Sequence, residues 1–398
     1  MPLEVVSPRV RGFICTNAHP AGCAASVAEQ VARARSEAVA AAKGGSALIV
    51  GASTGYGLAS WITAAFAWRM KTMGVFLERP PGDKRTATAG YYNAAAFLRL
   101  AREAGLSASA VNGDAFSNAV RNGVVDRLKQ EKSPIDVFVY SLASPVRVHP
   151  DDGRTIRSSL KPVGTTYTTR TIDLDRSLLS EVTLDPASEQ EVADTVAVMG
   201  GDDLHRWVET LLSAGLFAKG SRVVAYSYIG PMITWPIYRT GTIGLAKADL
   251  EKTVRSLDKR LSEAVGGRAW TSVNAAVVTQ ASAAIPGVPL YLSIINPVLA
   301  EKQLLERPID QILRLFRSYV GPGREPSLDR EKRIRMDDRE MRDDVQATVG
   351  ERWRSVTAGT LGKLADLPGF QREFRRLFGF GVEGVDESKP VETDVTLG

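Results

Sequence analysis

The stretch ALIVGASTGYGLAS, residues 47–60, restricts this chain more than any other: a short apolar run ends in Gly51, two further glycines follow at 55 and 57, and helix-forming residues come next. An apolar run of that length that stops at glycine reads as a buried strand, and the segment after it reads as a helix. Glycines at such a junction let backbone approach a ligand closely and leave free N–H groups at the start of the helix, which is where a dinucleotide pyrophosphate binds. The same alternation continues downstream. GVFLERP, LSASAVNGDAF and PIDVFVYSLAS read as strands, with TAGYYNAAAFLRLAREAG and AFSNAVRNGVVDRLKQEK as the helices between them. After a gap, SRVVAYSYIG and RAWTSVNAAVVTQ read as strands around a helix over Gly241 to Leu261, with a further helix in DLHRWVETLLSAGLF. Strands alternating with helices of this length imply right-handed βαβ units, and hence a doubly wound parallel sheet of the α/β class.

The G-x-x-x-G-x-G spacing is that of the short-chain dehydrogenase/reductase group, so Gly51, Ala52, Ser53, Thr54, Gly55 and Tyr56 are candidates to hold a dinucleotide. Glu78 ends the next apolar segment about 20 residues further on, where a carboxylate accepts bonds from an adenosine ribose and repels a 2′-phosphate. That favours NADH, although Arg79, Lys84 and Arg85 nearby could receive a phosphate. Asp114 follows the third strand on the adenine side, where an Asp serves equally as a helix cap. Ser141 to Ser144 follow the fourth strand on the nicotinamide side.

Tyr238 and Lys247 stand nine residues apart in YRTGTIGLAK. At about 100° per residue, nine positions send two side chains to opposite faces of one helix, so a working pair requires the tyrosine to lie off the regular helix. Pro236, Gly241 and Gly244 supply the interruption, with Tyr238 expected in an entry segment and Lys247 inside the helix. A cation beside the tyrosine would help its hydroxyl stabilise negative charge. Tyr228, at the exit of the preceding strand, is a candidate substrate contact, and aromatic packing is the competing reading for it and for Tyr226.

The formal charge is +5, with 50 basic and 45 acidic residues intermixed, so nothing forms a one-sign surface for nucleic acid. Two cysteines and three scattered histidines give neither a disulfide framework nor a metal-ligand spacing. The chain has no signal-like start and no apolar run of the roughly 20 residues that span a bilayer, which leads to the expectation of a cytoplasmic protein with no membrane partner. Residues 145–186, rich in Thr, Pro and Asp, suit an inserted hairpin or lid. SLDREKRIRMDDREMRDDVQ reads as a solvated strand-and-helix surface. GFQREFRRLFGF reads as a core-packed terminal helix through Phe370, Phe374, Leu377 and Phe378, with frayed residues after it.

Taken together, GASTGYGLASWI, FLERP, NGDAFS, VYSLASP, AYSYIGP, the Y-x8-K pair and TQASAAIPGVPLY resemble the FabV-type enoyl-[acyl-carrier-protein] reductases, also called trans-2-enoyl-CoA reductases, over nearly the whole chain. The resemblance implies one enlarged Rossmann-type domain over 1–398, with a hairpin and helix in 1–45, an NADH-binding half in 46–145, and an insertion near the active site in 146–187. A catalytic half and substrate loop would follow in 188–320, and a C-terminal extension in 321–398. It implies a monomer that reduces the C2–C3 double bond of enoyl thioesters of acyl carrier protein or CoA with NADH. Carried over by position, Gly51 to Tyr56 hold the pyrophosphate, Leu77 and Glu78 the ribose, Asp114 and Ala115 the adenine, and Leu142 and Ala143 the nicotinamide side. Val277, Val278 and Thr279 flank the carboxamide, Tyr228 touches substrate, Tyr238 donates the proton and Lys247 binds NADH. Ala248 stands where many members have a second lysine. Some relatives are described with a flavin at the C-terminal portion, but no pattern between Gly321 and Gly398 gives a physical reason to hold one. A carbonyl-reducing ketoreductase is the alternative, with Ser227 lying 11 positions ahead of Tyr238 as its possible serine.

Overall fold

The computed structural model describes residues 3–39, 44–82, 85–321 and 323–397; Lys84, noted above beside the ribose site, lies outside them. Seven strands form the central sheet: β1 Ser46–Val50, β2 Lys71–Phe76, β3 Ala108–Asn112, β4 Ile135–Tyr140, β5 Phe217–Ser227, β6 Arg268–Val273 and β7 Ile334–Arg335. Their order is β7-β6-β5-β4-β1-β2-β3, and every neighbouring pair is parallel. β1 and β4 are neighbours, and the chain winds outward from them in both directions. A crevice opens at the carboxyl ends of the strands at that reversal, the place where such sheets bind ligands.

The two faces are buried by different helices. Pro20–Ser36, Gly55–Ile62, Ala89–Glu103 and Pro308–Leu315 contribute to the apolar layer on one face; Asn118–Gln130, Asp202–Ser213 and Thr242–Val265 contribute to the other. β1 is buried along its whole length, so it reads as a continuous apolar run rather than as an alternation. Trp61 shows how tightly the first face closes. Its indole lies against Phe97, ring centroids 4.1 Å apart, and donates to Thr72 Oγ1 at 3.0 Å. It also occupies the space that a side chain at Gly74 would need. Truncating such a buried tryptophan costs about 3–5 kcal/mol.

A third apolar cluster lies over the C-terminal part, where Val288–Glu301, Asp343–Ser355 and Leu367–Arg376 pack together; Phe370, Phe374 and Phe378 are buried in it as the sequence indicates. Residues 146–184 form two antiparallel hairpins, Val146–Val148 with Thr155–Arg157 and Tyr167–Asp173 with Leu178–Leu184. Among the described residues, no helix is long and apolar enough to cross a membrane, and no cluster of His, Cys, Asp and Glu could hold a metal ion.

Several local expectations are corrected. The helix Glu189–Met199, closed at its start by a Ser188/Glu191 capping box, had no counterpart in the sequence reading. The last residues are not frayed: Glu4 and Val391 exchange backbone hydrogen bonds, and Tyr92 donates to the Thr393 carbonyl. The charge-rich 327–346 segment is a solvated strand-and-helix surface only in part. It supplies β7 and buries Arg333, Asp337 and Glu340, because Arg333 pairs with Asp329, Glu331 and Glu251, and Asp337 with Arg335. Glu340 has no such ion pair, and its partners belong to the site described next.

Candidate active site

The glycine turn lies at the crevice. Gly51 has φ +87°, in the left-handed region, and a Cβ there would lie 2.3 Å from the Ser141 carbonyl oxygen. A Cβ on Gly57 would lie 1.8 Å from the Gly51 carbonyl oxygen. No side chain caps the following helix at Thr54, so its first N–H groups remain available for an anion at the positive end of the helix dipole. Ser53 anchors the turn through its carbonyl, which accepts from Asn93, and through its hydroxyl, which donates to Glu78 at 2.6 Å. Tyr56 can serve a phosphate only through its backbone. Its phenol turns inward and donates to the Ala275 carbonyl at 2.8 Å.

Glu78 lies two residues beyond β2, with its backbone clamped on both sides by the Asn112 amide. Its carboxylate stands over Gly90, where a Cβ would come within 2.0 Å of Oε1. Leu77 is exposed on the same rim. Asp114 accepts from the Phe116 amide in a local turn but does not cap the following helix, whose cap is Ser117, and Ala115 is buried with its carbonyl accepting from Trp207. Leu142 and Ala143 follow Ser141, whose amide donates to the Val50 carbonyl and so ties the end of β4 to β1. Across the crevice, Thr279 stands 4.0 Å from the position of a Cβ on Gly55. Thr279 caps a short helix together with Ser282, and Ser282 also donates to the Val277 carbonyl, which shapes the loop carrying Val277, Val278 and Thr279. A cleft of about 750 Å³ opens between Thr54, Glu78, Val277–Gln280 and the C-terminal helix around Phe370–Phe378.

Tyr238 and Lys247 lie on separate helices. Trp235–Tyr238 is one short turn, and Thr242–Val265 begins after Gly241 in extended geometry. Pro236 does not keep the tyrosine out of helix: it occupies the first turn, where proline is tolerated, and the break comes after Tyr238. Both glycines allow the short turn to lie against the start of the long helix. A Cβ on Gly241 would approach the Pro236 carbonyl oxygen to 2.4 Å, and one on Gly244 the Arg239 carbonyl oxygen to 2.2 Å.

Tyr238 meets Tyr228 edge to face, ring centroids 4.7 Å apart. Tyr228 donates its hydroxyl to Glu340 Oε1 at 2.9 Å, and Tyr291 donates to the same oxygen at 2.7 Å. Glu340 Oε2 accepts from the Ala276 amide at 2.6 Å. The hydroxyl of Tyr238 has no hydrogen-bond partner among the described residues, and 9% of the residue is accessible. Burial, and then the carboxylate of Glu340, push its pKa well above the usual tyrosine value. It therefore stays protonated as a donor, and no cation depresses it. Lys247 reaches the Tyr226 carbonyl at 3.4 Å and is not hydrogen-bonded to Tyr238. Desolvation pushes its pKa down to about 8, with Glu251 opposing the shift. Tyr226 packs as the sequence allowed, edge to face on Tyr56 and hydrogen-bonded to Ser60.

The description of a trans-2-enoyl-CoA reductase catalytic region matches residues 85–320, and that of the NAD(P)H-binding domain of trans-2-enoyl-CoA reductase matches residues 5–83. The chain belongs to the trans-2-enoyl-CoA reductase family. It is 49% identical over 393 residues to an enoyl-[acyl-carrier-protein] reductase [NADH] of Opitutus terrae, covering 99% of this chain and 100% of that one. It superposes with a TM-score of 0.94 on the Treponema denticola trans-2-enoyl-CoA reductase solved in complex with NAD, at 42% identity and 99% coverage of both chains. A Clostridium trans-2-enoyl-CoA reductase solved with NADH also gives a TM-score of 0.94, at 38% identity and 98% coverage of both.

Residues 328–391 match the enoyl reductase FAD-binding domain of the same family, which implies a flavin. The residues present do not fit one. Within this segment β7 has only two residues, and the helix after it opens with Asp343 and Asp344, two carboxylates where a phosphate would need positive potential. Its buried polar groups are already engaged: Glu340 by two phenols and an amide, Asp337 by Arg335. Glu340 is also the site residue that sequence reasoning missed. The alternation of Ile334 and Met336 just before it was the available signal for a strand leading inward.

Proposed function

We propose that this member of the family reduces the C2–C3 double bond of trans-2-enoyl thioesters of acyl carrier protein or CoA, with NADH as the hydride source, in fatty-acid synthesis. The observation that carries the assignment of roles is the inequality of the two tyrosines: Tyr228 has its hydroxyl committed to Glu340, whereas that of Tyr238 is free to donate. Gly51–Tyr56 would hold the pyrophosphate through the backbone and the helix start, and Leu77, Glu78, Asp114 and Ala115 the adenosine. Leu142, Ala143, Val277, Val278 and Thr279 would line the nicotinamide end. Lys247 would donate to ribose hydroxyls. When bound, NADH supplies a hydride to C3 of the enoyl thioester.

The chain's own part in the reaction follows from charge. Reduction at C3 moves negative charge onto the thioester oxygen, and a protonated hydroxyl aimed at it acts as an oxyanion hole, commonly worth about 3 kcal/mol. Tyr238 fills that role because burial keeps its proton in place at neutral pH. Tyr228 presents its ring to the substrate side and holds Tyr238 by edge-to-face contact, worth about 1 kcal/mol. The proton then reaches C2 from Tyr238 directly or through water.

A ketoreductase would use a serine near the tyrosine. The Oγ of Ser227 is wholly buried, out of reach of a substrate. Mixing the protein with NADH and crotonyl-CoA, and separately with acetoacetyl-CoA, while following absorbance at 340 nm tests the reading. Oxidation with crotonyl-CoA alone is expected; oxidation with acetoacetyl-CoA alone would overturn it. Crotonyl-carrier protein in a parallel assay decides which thioester is preferred.

A further inference from the structure

Glu340 belongs to the segment after β7, remote in sequence from Tyr228 and from the Val277–Thr279 loop, yet it is almost wholly buried beside Tyr228. A buried carboxylate without a basic partner is costly unless donors surround it. Here three donors do so: the phenols of Tyr228, at the end of β5, and Tyr291, on the Val288–Glu301 helix, and the amide of Ala276, at the root of the Val277–Thr279 loop. Gln346 completes the arrangement by donating to the Glu340 carbonyl and to Tyr291. Gly230 also packs close to the Tyr228 hydroxyl, where a Cβ would come within 2.8 Å of it. The direction of the Tyr228 hydroxyl is therefore set by Glu340.

We propose that Glu340 is a positioning residue for the reduction: one carboxylate fixes the tyrosine pair on the substrate side and the Ala276–Thr279 loop on the nicotinamide side, and by taking the Tyr228 hydrogen leaves Tyr238 as the sole free donor. This inference rests on the assignment of Tyr238 and Tyr228 made above. Its chemical consequence is selectivity between two hydroxyls. With the acceptor removed, the Tyr228 hydroxyl is free to turn, the face presented to Tyr238 loosens, and the loop loses the bond that sets its start. Glu340 transfers no proton to substrate in this scheme. Burial raises its pKa to about 7 while its three donors oppose the shift. The other titratable groups acting on this cluster are Tyr238, Tyr56 and Asp337, the last paired with Arg335.

The test is a double-mutant cycle on the full-length protein with Glu340→Leu, which removes the acceptor, and Tyr228→Phe, read as kcat for crotonyl-CoA at saturating NADH. KM for crotonyl-CoA and NADH affinity by fluorescence are measured in parallel. Each single variant is expected to lower kcat at least about fivefold, and the double variant to be no slower than the slower single one, as for residues that share one interaction. KM for crotonyl-CoA should change less than kcat. Effects that multiply, or unaltered turnover in Glu340→Leu, would overturn the proposal. Should Glu340→Leu fail to fold, Gln346→Leu replaces it in the cycle, since it removes the support of Glu340 and Tyr291 and leaves the carboxylate in place; effects that multiply with Tyr228→Phe would again overturn the proposal. Tyr238→Phe is the control: full activity in that variant sinks the assignment of the tyrosines, whereas inactivity there with unaffected Glu340 variants sinks only the present inference.

Discussion

The ring of Tyr238 stands at 86° to the ring of Tyr228, centroid to centroid 4.7 Å, and of the two hydroxyls only that of Tyr228 is bound by a protein partner among the described residues. Two phenols in contact would ordinarily be interchangeable donors. Here the surroundings separate them, one turned to Glu340 and the other left for a ligand, so the same substitution should have unequal effects at the two positions.

Tyr238→Phe is expected to lower kcat by about 10²–10³, the loss typical of one oxyanion donor, with NADH affinity within about twofold of the parent. Tyr228→Phe should be the milder change. Steady-state rates with crotonyl-CoA, paired with NADH fluorescence titration, check both, and equal losses at the two sites would contradict the division of roles.

Gly244→Ala tests the close contact that carries the tyrosine turn. The added methyl would lie 2.2 Å from the Arg239 carbonyl oxygen, a backbone atom that cannot swing aside, so the turn must lift. A stability cost of about 1–3 kcal/mol is expected, with kcat falling more than tenfold while NADH affinity holds. Leu245→Ala, at the exposed neighbour, serves as the comparison and should leave both nearly unchanged.

Lys247 carries a charge below about pH 8 and loses it above. Its pKa is depressed in the folded chain relative to the free side chain, so the unfolded chain binds the extra proton and stability rises with pH between about 8 and the ordinary lysine value. Lys247→Met should flatten that rise, measured as melting temperature against pH without ligand. NADH affinity of the parent should fall as pH passes 8, and the variant should show no such inflection.

Glu78→Gln removes the charge that excludes a 2′-phosphate and keeps an acceptor for Ser53. The ratio of kcat/KM for NADH over NADPH should drop about tenfold, equivalent to roughly 1.4 kcal/mol. Gly90→Ala should instead raise KM for NADH severalfold without admitting NADPH, because its methyl shifts the carboxylate without removing its charge.

Much of this was legible in the residues. Short apolar runs alternating with helical segments marked six of the seven strands, and the glycine spacing placed the crevice, because both depend on local periodicity and backbone geometry. The nine-residue interval foretold that Tyr238 leaves the long helix, although the glycines rather than Pro236 accomplish it. The 327–346 run misled for a physical reason. Pattern reading assigns charges to solvent, whereas Arg333 and Asp337 are buried with counter-charges of the same segment, helped by Glu251, and Glu340 with donors brought from elsewhere in the chain. Tyr56 misled similarly: its position in the glycine turn was visible, but the direction of its phenol is set by Ala275, 219 residues away in sequence.

The strand β7 and the bonds of Glu340 bear on how such a chain can be divided. Residues after 328 read as a detachable module when the boundaries are drawn along the sequence. Yet they provide an edge strand paired to β6 and the acceptor for Tyr228. A swap of that module between relatives would exchange part of the candidate active site along with it, and on the role proposed for Glu340 a chimera would keep its activity only where the incoming segment brings a carboxylate to the place of Glu340.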